Sequence, residues 1–262
     1  MTAAKGLTSA RVGDRHVFTA MGTGISLAVS GDLSTDAAGA VEEGFRSLDD
    51  RFSLYKPESE ATAVARRALP VEQASRDFQD AFALAESWAA RTAGAFRSRR
   101  PDGSVDLNGV IKALAIGRAG EVLASYGVHD WCLNAGGDVL TSGSQPGGMP
   151  WVVGIVDPTD RQALLTQFTC STAYPAVATS GVAERGEHVW RATAVHSGTS
   201  WAEFVQVTVA AADIMTADVL ATAILAGGQA TLERALQQWP LHVLAADAAG
   251  GFLATEAFRS TT

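Results

Sequence analysis

An α+β fold in one domain, with a mixed, largely antiparallel sheet and packed helices, is predicted for this 262-residue chain from three observations. Long segments carry apolar residues at helical intervals, and between and after them short β-type runs follow one another, as in a sheet with helices packed on it. A 47% hydrophobic content is enough for a sizeable core. No linker, repeat or low-complexity tract divides the sequence, so residues 1–262 read as a single domain.

The elements follow in order. His16 to Ser30 alternates apolar and small residues around Met21-Gly22-Thr23-Gly24, which predicts two strands or one strand bent at a glycine. Ser34 is placed to cap a helix whose apolar positions are Val41, Phe45, Leu48 and Phe52. Arg51 to Glu60 reads as a loop around Pro57, and a second helix is expected from about Ser75 to Thr92. After an Arg-rich turn, Val105 to Gly109 leads into a third helix ending near Tyr126. A strand at Trp131 to Ala135 then closes on Gly136-Gly137-Asp138. Further strands are expected at Trp151 to Val156, Leu164 to Cys170, Ala176 to Thr179 and Phe204 to Ala211. Ala217 to Gly227 and Ala230 to Trp239 read as helices, with His242 to Ala246 and Phe252 to Ala257 finishing the sheet.

Composition narrows the function. A formal net charge of −8 argues against a nucleic-acid partner, which needs a basic face. A phosphate-bearing ligand would need a local cation or aimed backbone amides. The sequence has no run of 18 apolar residues and no signal-peptide pattern at its start, so a cytoplasmic location without membrane contact is expected. Cys132 and Cys170 lie in apolar segments without metal or redox spacing, and read as buried thiols.

One pair carries more chemical information. Asp218 and Thr222 stand four residues apart in an Ala-rich helical stretch, so a carboxylate and a hydroxyl share one face. Two hard oxygen ligands suit Mg²⁺, which takes few protein ligands and keeps waters or substrate phosphates. A helix start with an Asp favoured by the dipole and a Thr bonded back to a carbonyl fits the same residues.

Several segments together resemble the ApbE-type flavin transferases, which move FMN from FAD onto a protein threonine using Mg²⁺. They are Met21-Gly22-Thr23, Arg51-Phe52-Ser53-Leu54-Tyr55, Gly94-Ala95-Phe96, Asp106 with Lys112, Asn134 to Asp138, Val153 to Pro158, Ala178-Thr179-Ser180-Gly181, His188, and Ala217-Asp218 with Thr222. The resemblance spans nearly the whole chain and implies the fold of that family. It implies Mg²⁺ held by the side chains of Asp218 and Thr222 and the carbonyls of Gly109 and Ala221. FAD would be held as substrate by Met21, Tyr55, Ala95, Phe96, Asp106, Lys112, Asp138 and Thr179, with His188 as general base. The partners implied are a flavin nucleotide and an acceptor flavoprotein.

The sequence also departs from the family pattern. After its histidine the family carries H-x-x-D-P-x-x-G, whereas this chain reads His188-Val189-Trp190-Arg191-Ala192-Thr193-Ala194-Val195. After Gly94-Ala95-Phe96 the family carries Asp-Pro, and here Arg97-Ser98-Arg99-Arg100 stands. Lys112-Ala113 replaces Lys-Gly. Two other readings therefore stand beside transferase activity: an enzyme of this fold turned to a small-molecule substrate, by condensation or cyclisation, and a flavin-binding protein without catalysis.

Overall fold

The computed structural model describes residues 13–181 and 204–259. Ten strands and six α-helices form an eight-stranded sheet in the order β1-β2-β3-β4-β7-β8-β9-β10, plus a separate β5-β6 hairpin. Every strand pair among the described residues is antiparallel, in line with the largely antiparallel sheet expected, and no parallel pair makes the sheet mixed.

β1 (Arg15–Ala20) and β2 (Thr23–Val29) form a hairpin whose two loop residues, Met21 and Gly22, both have positive φ, 53° and 69°. Left-handed loop residues match the twist of the paired strands, which makes the predicted glycine kink a tight turn. The chain then leaves the sheet for four helices. α1 (Thr35–Phe52) starts at Ser34, whose side chain accepts from Ala37 N–H, and buries the expected Val41, Phe45, Leu48 and Phe52. Its last turn includes Arg51 and Phe52, which the sequence reading assigned to a loop.

That loop is also shorter at its far end. Ser59 caps α2 (Glu60–Ala65) and its hydroxyl donates to Ser53 O, so a short helix begins where a loop residue was expected. α3 (Arg76–Arg91) begins at Ser75 and ends at Thr92, as its apolar stripe predicts. α4 (Asn108–Ser125) buries Val110 and Leu123 together with Ala113, Ala115, Ile116 and Ala119.

β3 (Trp131–Ala135) and β4 (Asp138–Ser142) turn through Gly136 and Gly137. β5 (Val152–Val156) and β6 (Leu164–Thr169) then leave the main sheet, which β7 (Ala176–Gly181) and β8 (Phe204–Ala211) rejoin. α5 (Ile214–Gln238) is broken at Gly228, where φ is 63° and ψ is −156°. The break explains the topology. Ala210 pairs with His242 at the start of β9 (His242–Asp247), so the chain leaves and re-enters the sheet at the same end. A straight helix of 25 residues would carry it about 37 Å away.

β10 (Phe252–Ala254) is shorter than the predicted Phe252 to Ala257. Thr255 exchanges backbone and side-chain hydrogen bonds with Val243, and the chain turns into α6 (Glu256–Arg259), whose Phe258 is buried against Phe168. α1, α4 and α5 share the main core with one face of the sheet. Val139, Val177, Ala210 and Leu244 on the other face pack with β5, β6 and α6 in a second core. α5 has the length and composition of a membrane span, but its apolar residues are buried against β7 and β8. Both cysteines are buried or nearly so, and burial pushes the Cys132 thiol up to about 12.

Candidate functional site

The turns of the two hairpins lie side by side. Gly136 N–H donates to Gly24 O at 3.2 Å, and a Cβ on Gly136 would lie 2.5 Å from Thr23 Oγ1. Only glycine fits there. Beside this corner a cavity of about 660 Å³ opens, a volume typical of small-ligand sites. Its walls come from four parts of the chain: the Met21-Gly22 turn, the end of α1 through Lys56, the segment from Phe96 to Lys112, and Thr222 on α5.

One wall is apolar. Met21, Leu48, Phe52, Phe96 and Ile111 line it, and Tyr55 stands at the mouth with 78% of its surface exposed. Met21 occupies a conformation that a side chain with a Cβ adopts only at a cost of about 1–2 kcal/mol. Phe96 is pressed against the backbone of α4, since a Cβ on Gly109 would sit 2.7 Å from its ring.

The opposite wall is polar. The first residues of α4, Asn108 and Gly109, line the cavity, and the N-cap residue Leu107 itself has no capping side chain. An 18-residue helix therefore directs its positive end toward this wall. Thr222 lines the same cavity, its hydroxyl 3.0 Å from that of Ser180. Asp218 lies one turn earlier on α5 with 1% of its surface exposed.

Of the residues named from sequence, Met21, Tyr55, Phe96, Asp106, Lys112, Gly109 and Thr222 line this cavity. Ala95, Asp138, Thr179, Asp218 and Ala221 do not. Ala95 packs beside Gly227 of α5. Ala221 is wholly buried inside α5. Asp138 is fully buried behind Lys112, with which it forms an ion pair, and its Oδ1 accepts from Thr179 N–H at 3.1 Å. The Thr179 hydroxyl meets that of Thr208 at 2.9 Å. Asp138 and Thr179, expected as ligand contacts, lie outside the cavity lining, with Asp138 joining Lys112 to the backbone of β7. His188 and Arg191 lie outside the described residues.

Asp106, expected to accept from a flavin or ribose donor, has local duties as well. Its Oδ2 receives both Nε and Nη2 of Arg100 at 2.9 Å, and its Oδ1 receives Asn108 N–H at 3.0 Å. Asp106 therefore fixes the start of α4. Lys56 bridges Asp49 and Asp50 at 2.6 and 2.7 Å, which holds its ammonium above the ordinary lysine range. Lys56 and Asp49 were not among the residues named from sequence. Nothing in a helix-end Asp and a loop Lys signals a cavity until the fold places them at one. Arg97, Arg99 and Arg100 were legible only as an unusual run, and all three line the cavity.

Asp218, Thr222 and Ser180 offer oxygen only, and among the described residues no group of three or more His, Cys, Asp or Glu side chains is placed to hold a metal. A site of one carboxylate, hydroxyls and carbonyls fits a hard cation that keeps part of its water, and not zinc.

The ApbE family profile matches residues 97–245, more than half of the chain, and the chain belongs to the ApbE family. The fold agrees with solved structures. The ApbE protein of Thermotoga maritima superposes with a TM-score of 0.75 at 21% identity, covering 94% of this chain and 98% of that one. The flavin transferase ApbE of Vibrio cholerae superposes with a TM-score of 0.70 at 19% identity, over 95% and 100% of the two chains. The flavinyl transferase ApbE of Pseudomonas stutzeri in its apo form gives 0.74 at 18% identity, over 95% and 96%. Comparison with curated proteins returned no match.

Proposed function

We propose that this protein transfers FMN from FAD to a threonine hydroxyl of an acceptor protein, releasing AMP, with Mg²⁺ bound near Asp218 and Thr222. The observation that carries this reading is the two-sided cavity. Met21, Phe52, Phe96 and Tyr55 offer an apolar and aromatic surface for fused rings, and the α4 N-terminus and Lys112 lie where a pyrophosphate needs positive charge. Membership of the ApbE family and likeness to flavin transferases support it further.

In this reading Asp218 and Thr222 hold the cation with side-chain oxygens, aided by the carbonyls of Gly109 and Ala221. Bound there, a divalent cation supplies charge neutralisation at the phosphates. The positive end of α4 attracts the pyrophosphate, and Lys112, kept in place by Asp138, faces it. The acceptor oxygen forms a bond to the FMN phosphorus, the bond from that phosphorus to the bridging oxygen breaks, and that oxygen leaves with AMP. His188 takes the hydroxyl proton.

Incubation with FAD, Mg²⁺ and a threonine-bearing acceptor tests the proposal. AMP release and a mass increase of one FMN on the acceptor, both lost in Asp218→Ala, are expected. FAD bound without either product would refute the transferase reading.

A further inference from the structure

We infer that Arg97 and Arg99 form a clamp at the cavity mouth that selects an extended, acidic acceptor segment with carboxylates on alternate residues beside its reactive hydroxyl. This rests on the transfer reading for the presence of an acceptor, and on the following geometry for its chemistry.

Five cationic side chains line the cavity: Lys56, Arg97, Arg99, Arg100 and Lys112. Three are held by carboxylates: Lys56 by Asp49 and Asp50, Lys112 by Asp138, and Arg100 by Asp106. Arg97 and Arg99 form no ion pair with a carboxylate among the described residues. Their guanidinium groups are positioned by neutral partners instead. Arg97 Nε donates to Gly94 O at 3.2 Å, while Arg99 lies 5.0 Å from the Phe82 ring centre and donates to Gly103 O at 3.4 Å. Each fork keeps further N–H donors for a ligand.

Exposure alternates along the segment. Phe96 and Ser98 are buried, Arg97 and Arg99 are exposed, and Arg99 bridges Val105 as a strand residue would. The hydroxyl of Ser98 is tied to Glu86 of α3, which fixes the alternation. Two arginines one residue apart on the exposed side stand at most about 7 Å apart at their Cα atoms. The same spacing separates alternate side chains of an extended peptide, and a guanidinium fork accepts a carboxylate through two hydrogen bonds.

The position and the net charge point to the second substrate. Both arginines are exposed at the rim, whereas the α4 terminus and Lys112 face the phosphates in the proposed reading. A protein of net charge −8 repels an acidic partner over most of its surface, so this rim would set the orientation in which one docks.

The test uses the full chain with FAD and two labelled ten-residue peptides in which valine replaces the acceptor threonine. One carries Glu on alternate positions and the other Gln. Anisotropy is expected to show about tenfold tighter binding of the Glu peptide, as two rim ion pairs supply. That preference should vanish in Arg97→Gln/Arg99→Gln and in 1 M salt, and persist in part in Arg97→Lys/Arg99→Lys. FAD fluorescence quenching is expected to weaken less in the Gln variant than binding of the Glu peptide does. Equal binding of the two peptides, a preference unchanged in the Gln variant, or equal loss of FAD affinity would each overturn the inference. Glutarate displacing the Glu peptide at equal concentration would also overturn it, in favour of a small dianion. A peptide preference that stands while no threonine acceptor is ever flavinylated would sink the transferase reading and leave the clamp intact.

Discussion

Replacing Lys112 by Met separates the two duties that the fold gives this lysine. Asp138 has 0% side-chain exposure and is held in an ion pair with Lys112, whose own side chain is 20% exposed. Removing one partner of a buried pair leaves a charge without its counter-charge and costs about 3–5 kcal/mol. Because Lys112 retains some solvent and Asp138 keeps the Thr179 N–H, the lower end, about 3 kcal/mol, is expected. For a chain of this size that is a fall in Tm of about 6–12 °C. Lys112→Met/Asp138→Asn removes the stranded charge and should recover most of the loss, as measured by urea and thermal unfolding. FAD affinity should fall in the single variant and stay low in the double, since the cation facing the cavity is absent from both. A single variant within about 1 kcal/mol of wild type, or a double variant no more stable than the single, would refute the assignment of Lys112 and Asp138 as a supporting pair.

Two further outcomes are expected. Gly109→Ala drives a methyl to within 2.7 Å of the Phe96 ring, and overpacking of about 1–3 kcal/mol outweighs the gain in helix propensity of about 1 kcal/mol. The loss of stability should be relieved by Phe96→Leu, and an unchanged FAD affinity in Gly109→Ala would argue against Phe96 as a cavity wall. His242 lies among Tyr174, Phe168 and Thr255, and burial lowers its pKa below 6.5 against the opposing pull of Glu256. The neutral ring is favoured in the fold, so its contribution is present above pH 6.5 and is lost as pH falls through the folded-state value. Urea midpoints at pH 7.5 and 5.5 should therefore differ more in wild type than in His242→Gln; equal differences would count against it.

Much of this fold was legible because its helices announce their own ends. Ser34 and Ser75 cap α1 and α3 where the apolar stripes begin, and the Gly227-Gly228 pair divides α5 where the two expected helices part. β4 was missed because Asp138–Ser142 follows two glycines and reads as a turn; its strand conformation comes from pairing with β3 and β7. α2 was missed because six residues after Pro57 have little helical signal, and the Ser59 hydroxyl that starts it depends on Ser53. In the site, individual residues were legible but their relations were not. Asp138 and Lys112 were both named as ligand contacts, yet that one restrains the other depends on the docking of α4 against β4. Leu48 and Phe52 carry an ordinary helix-core pattern, and only the placement of the end of α1 makes them cavity floor.

The cavity walls run from Met21 to Thr222, so no short piece of the chain contains the site. Its last wall is complete only after α5 has docked on a sheet whose central pairings join residues far apart in sequence, the slowest class of contact to form. A ligand held there stabilises the assembled chain against global unfolding and leaves the fraying of exposed ends untouched. Resistance to proteolysis gained on adding flavin nucleotide would thus report the integrity of the entire polypeptide, from its first hairpin to its last long helix.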